Sequence, residues 1–250
     1  MSRVSVVTGA ASGNGRAIAS RLLSCGDCVA MLDVSADALA RCHACEWRAH
    51  VDRTLCLVTD VSNEASVNDA IAAVKDRFGR VDLLVNNAGI TGGTEATTVH
   101  VTPAAVFDYV IAVNVRGVFL GCRAVLPLMM AQGGGVIINI ASVAGLVAFP
   151  GRAAYTSSKG AVIQLSRSIT ADYAHVGIRC VALCPGMIET PMTQWRLDQP
   201  HLRKEVLARI PQNEIGSTED VASAVAFLAG PGARYFNGSA LVMDGGYAAV

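Results

Sequence analysis

The sequence predicts an α/β protein: a seven-stranded, doubly wound parallel sheet with helices on both faces. Three observations point there. Seven short apolar runs recur along the chain, and they alternate with longer stretches whose apolar residues repeat at intervals of three and four. The runs are also apolar almost throughout, the pattern of strands buried on both faces. With 250 residues, 52% hydrophobic and 16% charged, the chain suits one large core better than two small ones. No repeat, charge block or low-complexity linker divides it, so residues 1–250 read as one domain.

In order, "RVSVVTG" (3–9) is the first strand and "GRAIASRLLSC" (15–25) the helix that leaves it. The second and third strands are "DCVAMLDV" (27–34) and "TLCLVTDV" (54–61), followed by the helix "EASVNDAIAAVKDRF" (64–78). The fourth strand, "VDLLVNNAG" (81–89), leads to one long helix, "PAAVFDYVIAVNVRGVFLGCRAVLPLMM" (103–130). "GGVIINIAS" (134–142) is the fifth strand and "AAYTSSKGAVIQLSRSITADYA" (153–174) its crossover helix. "IRCVALCPG" (178–186), the helix "TEDVASAVAFLA" (218–229) and "SALVMDGG" (239–246) complete the pattern.

Lys and Arg total 20, as do Asp and Glu, so no overall field attracts nucleic acid or an anionic membrane. No apolar stretch approaches the roughly 18 charge-free residues of a membrane span, and "MSRVSVVTGA" lacks the regions of a signal peptide. A cytosolic chain is expected, with no nucleic-acid or membrane partner. Cys25, Cys28, Cys42 and Cys45 make two C-x2-C pairs, a spacing that resembles a zinc ribbon. Cys28 opens a strand, however, and Cys42 and Cys45 fall in a helix, so the four thiols are committed elsewhere. Reduced thiols behaving as small hydrophobes are the preferred reading, and no metal is expected.

The first strand runs directly into "TGAASGNGRAIA". Gly9, Gly13 and Gly15 let the backbone approach a pyrophosphate, and Ser12 and Asn14 stand between them at the start of a helix whose N–H groups face the phosphates. Glycine-rich turns also serve simple chain reversal, but the strand-to-helix setting favours a dinucleotide-binding turn. Asp33 closes the second strand, where a carboxylate accepts hydrogen bonds from an adenosine ribose. Its charge repels a 2′-phosphate, and its neighbours Ser12 and Val34 offer no cation, which argues NAD over NADP. The alternative is an acid capping the next helix. "NNAG" (86–89), Ser142 and "CPG" (184–186) also lie at strand ends, where open α/β sheets bind ligands. Tyr155 and Lys159 are four apart at the start of a helix and project from one face. Lysine is scarce, three in all against seventeen arginines.

With these motifs in place the whole chain resembles the short-chain dehydrogenase/reductase family. "TGAASGNG" matches its glycine pattern, Asp60 its adenine-side acid, "NNAG" its central motif, and Asn114, Ser142, Tyr155 and Lys159 its catalytic pattern. Asn14 departs from the more usual apolar residue between the last two glycines. The resemblance implies NAD contacts from Gly9, Ser12, Gly13, Asn14, Gly15, Asp33, Asp60, Val61, Asn87, Ala88 and Gly89, from Tyr155 and Lys159, and from Pro185, Gly186, Ile188 and Thr190. It also implies a homotetramer formed through the helices containing residues 103–130 and 154–174.

Oxidising a secondary alcohol needs a base for the hydroxyl proton, and a free tyrosine, with pKa about 10, is a poor one at neutral pH. A shift of ~3 units, about 4 kcal/mol, is required. One cation about 4 Å away at an effective dielectric of 20 supplies roughly that amount, so Lys159, helped by an oxidised nicotinamide, is sufficient in magnitude. Ser142 would hold the substrate oxygen and Asn114 anchor a water that leads the proton out.

In this family the segment after the sixth strand closes over the substrate, and here it is a lid at about 187–212. Arg196 lies in the lid, and Arg152 precedes Tyr155 by three residues on the other side of the same cleft. Paired guanidinium hydrogen bonds suit a sulfonate, carboxylate or phosphate, so the two arginines suggest an anionic tail; the alternative is ordinary surface placement. Arg203 and Arg209, on the amphipathic "LRKEVLARI", are expected to face solvent. "FPGRAAYTSSKGA" with "CPGMIETPMTQWRLDQP" resembles one subgroup of the family, whose substrates carry the sulfonate of coenzyme M. That likeness implies NAD-dependent oxidation of an R-configured hydroxypropyl thioether to its ketone. Substrate contacts would come from Ser142, Arg152, Tyr155, Met187, Met192, Trp195 and Arg196. Other readings are a dehydrogenase for another small alcohol or a 3-oxoacyl thioester, or a sensor of dinucleotides that has lost catalysis.

Overall fold

In the computed structural model, which describes residues 2–250, seven parallel strands form one sheet in the order β3-β2-β1-β4-β5-β6-β7. The strands are β1 (Val4–Thr8), β2 (Cys28–Asp33), β3 (Thr54–Val58), β4 (Leu83–Asn86), β5 (Gly135–Ile140), β6 (Ile178–Pro185) and β7 (Ala240–Met243). Consecutive residues on the central strands enter opposite cores. Val6, Leu84 and Ile137 face one layer, and Val7, Val85 and Ile138 face the other. All six are fully buried, which explains why these runs are apolar without alternation. Each stabilises the fold by about 1.5–3 kcal/mol relative to exposure.

The first layer is covered by α3 (Glu64–Phe78), α5 (Gly117–Gln132) and α6 (Ala153–Tyr173), through residues such as Val74, Val125 and Val162. The second is covered by α1 (Gly13–Ser24) and α9 (Thr218–Ala229), through Ile18, Leu22, Val221 and Val225. A helical excursion follows β2, of which the sequence marked only the helix carrying Cys42 and Cys45. It comprises α2 (Ala36–Cys42), a π-helical turn (His43–Trp47) and a 3-10 turn (Arg48–Arg53). Trp47 anchors it, fully buried, with its indole N–H donating to Ser20 at 2.9 Å.

The long helix expected over 103–130 is present as one continuous run, Ala104–Gln132, with a π-helical turn inside it. It comprises α4 (Ala104–Ile111), the π-helical turn (Ala112–Arg116) and α5, and such turns recur at functional sites. The combined run, Ala104–Gln132, is apolar enough to cross a membrane by length and composition. It is also interrupted by Asp108, Arg116 and Arg123. Buried Val118, Val125 and Met129 pack it into the core beside β4 and β5, the placement of a core helix.

After β6 the chain forms α7 (Pro191–Leu197) and α8 (Pro200–Leu207). Thr190 and Thr193 close a capping box at the start of α7, and a proline occupies the first turn of each helix, where its missing N–H costs nothing. This is the segment assigned to the lid.

Candidate active site

Strand order reverses between β1 and β4, and a cleft of ≈ 380 Å³ opens at the carboxyl ends there. Its floor is the glycine turn between β1 and α1. Gly9 and Gly13 have φ of +63° and +48°, and a Cβ on Gly15 would stand 2.0 Å from the Gly9 carbonyl oxygen. Gly15 therefore lies beneath the cleft and permits the close packing of the turn; it does not line the cleft. The "NNAG" motif braces the turn. The Asn87 side chain donates to the Thr8 and Gly9 carbonyls at 3.0 and 3.1 Å, and Thr8 Oγ1 accepts from Asn87 N and Ala88 N. Asn14 Oδ1, within the cleft, is buried without a hydrogen-bond partner, a state that polar atoms leave when a ligand supplies the bond. Glycine cradle, open helix N-terminus and orphaned amide together fit a dinucleotide.

Asp33 is on the cleft wall, and its two carboxylate oxygens accept from Ala11 N and Ser35 N, both at 3.0 Å. The capping alternative fails, because Ser35 is the N-cap of α2 and accepts from Ala38 N. Asp33 is thus oriented by backbone donors and keeps lone pairs for a ribose. Asp60 and Val61 flank it, Asp60 being held by Ser62 N and Oγ at 2.9 and 2.7 Å. Ser12, Gly13, Ala88, Gly89, Pro185, Gly186, Ile188 and Thr190 complete the expected lining. Val34, Thr59 and Thr193 also line it and were not anticipated, since nothing in their side-chain chemistry marks them.

Ser142, Tyr155 and Lys159 converge at the far end of the same cleft. Lys159 is buried, donates to the Ile140 carbonyl at 2.7 Å, and its Nζ lies 5.7 Å from the centre of the Tyr155 ring. Burial pushes the ammonium down to about 8, a nearby Cys184 opposing. Burial also raises the Tyr155 phenol, and its interaction with the Ser142 side chain opposes that rise. In the protein alone, burial is the largest influence on both groups. Asn114 lies on the π-helical turn, fully buried behind the cleft, where it accepts from Ile90 N and donates to Ile90 O, both at 2.8 Å, and to Ser158 at 2.9 Å. It nonetheless approaches the lysine. A Cβ on Gly89 would stand 3.3 Å from Asn114 Oδ1 and 3.5 Å from Lys159 Nζ.

A second cavity, ≈ 590 Å³, adjoins the first and shares Ile90, Tyr109 and Met192 with it. Met192 therefore borders both, whereas Met187 lines neither, its carbonyl being tied to Gly216 N at 3.0 Å. Arg152, Trp195 and Arg196 line neither cavity, but Arg152 contacts Gly93 on the wall of the second. Its guanidinium lies 5.9 Å from the Trp195 ring of α7 and donates to Gly93 O at 3.5 Å. Arg196 is half-buried, and its side chain makes no hydrogen bond or ion pair among the described residues. Arg203 and Arg209 face solvent as expected, the side chain of Arg203 being 42% exposed and Arg209 exposed, and each also has a surface neighbour. Arg203 is 3.9 Å from Glu189, and Arg209 lies over the Tyr247 ring at 4.7 Å.

The cysteines do not converge. Cys25 and Cys45 are exposed, Cys42 is buried and donates to Ala11 O, and Cys28 is half-buried in β2. Among the described residues no group of three or more His, Cys, Asp or Glu could hold a metal ion. Burial raises Cys180 to about 12 and Cys184 to about 11, which leaves these thiols protonated and inert.

The fold and the cleft define a dinucleotide-binding oxidoreductase. A family profile described as enoyl-(acyl carrier protein) reductase matches residues 9–248. The chain belongs to the short-chain dehydrogenase/reductase family. It is 64% identical to 2-(R)-hydroxypropyl-CoM dehydrogenase of Xanthobacter autotrophicus across the whole of both chains. It is 38% identical to 2-(S)-hydroxypropyl-CoM dehydrogenase 3 of the same organism, over 99% of this chain and 97% of that one. The crystal structure of a 3-ketoacyl-(acyl-carrier-protein) reductase from Brucella melitensis, complexed with NADH, superimposes with a TM-score of 0.88 at 34% identity, covering 98% of each chain.

Proposed function

We propose that this enzyme oxidises 2-(R)-hydroxypropyl-coenzyme M to 2-oxopropyl-coenzyme M with NAD. The observation that carries the reading is the full-length 64% identity to the R-specific dehydrogenase. Arg152 supports it by its contacts with Trp195 of α7 and with Gly93 on the wall of the second cavity. The 38% identity to the S-specific enzyme favours the R substrate. Gly9, Gly13 and Asn14 would hold the pyrophosphate, Asp33 the adenosine ribose, and Tyr155 with Lys159 the nicotinamide ribose. The chemistry that NAD supplies when bound is acceptance of the hydride from the carbinol carbon. Ser142 fixes the substrate oxygen and Tyr155 takes its proton. Lys159 favours the phenolate, and Asn114, by holding the Ile90 loop, anchors the exit path for the proton. Arg152 and Arg196 grip the sulfonate, with Trp195 and Met192 as apolar walls.

Anchoring the tail on one side decides which face of the carbinol carbon presents its hydrogen, and that is the basis of stereospecificity. The proposed setting is a cytoplasmic homotetramer serving propylene and epoxide metabolism. Exposed Phe107, Tyr109 and Phe119 on α4 and α5 supply apolar surface for its interfaces.

A panel of both hydroxypropyl-coenzyme M enantiomers and 2-propanol, followed by NADH absorbance, tests the assignment. The R thioether is expected to give the highest kcat/KM. Faster turnover of the S thioether, or of the neutral alcohol, would overturn it. The same assay tests cofactor choice. NAD is expected to be strongly preferred, and Asp33→Ala should narrow the preference by about tenfold, the effect of removing ~1.4 kcal/mol of repulsion from a 2′-phosphate. Equal use of NAD and NADP by the unaltered enzyme would sink the role given to Asp33.

A further inference from the structure

At the C-terminus, the Tyr247 ring is held between Phe149 and Arg209. It stacks on Phe149, with centroids 5.3 Å apart and planes 11° from parallel. Phe149 lies in the loop between Ser142 and Tyr155, three residues before Arg152. The Arg209 guanidinium covers the same Tyr247 ring at 4.7 Å, and Arg209 follows α8 at the distal end of the lid. The neighbouring backbone is bound to the same place. Gln212 N donates to Gly245 O at 3.0 Å, a Cβ on Gly245 would meet Ile210 at 2.7 Å, and one on Gly246 would meet Pro211 at 3.1 Å. Asp244 fixes the turn by accepting from Gly246 N and Ala248 N, both at 2.8 Å.

These contacts fasten the lid's last residues and the Arg152 loop to one short C-terminal segment. Arg152 in turn touches Trp195 on the lid's first helix. Both ends of the lid are thereby linked to the loop that separates Ser142 from Tyr155. The Tyr247 hydroxyl makes no hydrogen bond among the described residues. The ring carries the arrangement.

We infer that Tyr247 is a positioning residue for substrate affinity: it clasps the lid to the Arg152 loop and so sets the grip on the anionic tail without touching the reacting carbon. The inference rests on the reading that Arg152 holds that tail. Losing one stacked aromatic pair and one cation–π contact corresponds to about tenfold in affinity.

The test is Tyr247→Ala beside Tyr247→Phe, with Arg152→Ala as reference, measured by steady-state kinetics, NADH binding and hydrogen exchange. In Tyr247→Ala, exchange should rise severalfold in residues 146–152 and 207–212 while β1 and α1 keep their protection. KM for the coenzyme M thioether should rise about tenfold, with kcat within twofold and NADH affinity unchanged. Tyr247→Phe should match the unaltered enzyme in every readout, because the hydroxyl makes no bond. Unchanged exchange in Tyr247→Ala overturns the clasp. A Tyr247→Phe variant as impaired as Tyr247→Ala also overturns it, by showing that the hydroxyl and not the stack matters. Faster exchange with unchanged KM overturns the affinity role. If Arg152→Ala loses kcat/KM in that same assay, the assignment of the tail to Arg152 survives the failure. Should Arg152→Ala have no effect either, the tail assignment itself falls, and the exchange data alone decide the clasp.

Discussion

Tyr155→Phe is expected to lower turnover by about 10²- to 10⁴-fold, the usual worth of a positioned acid–base group, while NADH binding stays near normal. The substitution deletes one oxygen and keeps the ring that lies 5.7 Å from Lys159 Nζ, so local packing survives and the loss reports proton transfer. The pH dependence follows from the two shifts. Burial raises Tyr155, and burial lowers Lys159 to about 8. Raising the pH from neutrality increases the phenolate fraction, so alcohol oxidation should accelerate and ketone reduction slow. The gain ends where Lys159 loses its proton and its attraction for the phenolate with it. The two groups titrate as a pair, and the profile belongs to both. A positively charged nicotinamide ring would favour the phenolate further. Lys159→Ala should displace the oxidation profile to higher pH in whatever activity survives. Retained turnover in Tyr155→Phe, measured by NADH absorbance, would reject the assignment of the base.

The sheet and most of the cleft were legible in the sequence because each depends on local signals. Runs such as "VDLLVNNAG" are apolar on both faces, since Leu84 and Val85 enter different cores, and no soluble alternative to a buried parallel strand fits that pattern. Gly9 and Gly15 stand where a Cβ would clash, and Gly13 has a φ of +48° that favours glycine. The excursion through α2 and the two turns after it was only partly legible, because its anchor, Trp47, is buried by contacts distant in sequence. The π-helical turn at Asn114 was invisible for a related reason: the apolar period of 103–130 continues across it, while the break serves bonds to Ile90 and Ser158. Charge balance was the weakest guide. Counting a cation near Tyr155 omitted the desolvation of that cation, which only the burial of Lys159 reveals. The Tyr247 stack joins residues 149, 209 and 247, and no periodicity or motif connects positions so far apart.

Arg152→Ala and Arg196→Ala should each lower kcat/KM for the coenzyme M thioether roughly 10- to 150-fold, because a hydrogen bond to a charged partner is worth about 1.5–3 kcal/mol. The loss grows further if anchoring also orients the carbinol carbon toward Tyr155. The two arginines start from different states. Arg152 is already held against Trp195 and Gly93 O, whereas the Arg196 guanidinium has no hydrogen bond or ion pair among the described residues. Arg152→Ala therefore also loosens α7, through Trp195, and should be the more damaging of the two. A small neutral alcohol never uses the hook. Its kcat/KM, already poor, should be almost unchanged in both variants, while damage to the fold would depress both substrates together. Lysine at either position keeps the charge and loses the paired geometry, so Arg152→Lys and Arg196→Lys should fall between alanine and arginine. Added ethanesulfonate offers a separate check: it should inhibit the unaltered enzyme competitively and inhibit both alanine variants far more weakly. Equal losses for the thioether and the neutral alcohol, with undiminished ethanesulfonate inhibition, would show that the arginines belong to the surface and that the tail is held elsewhere.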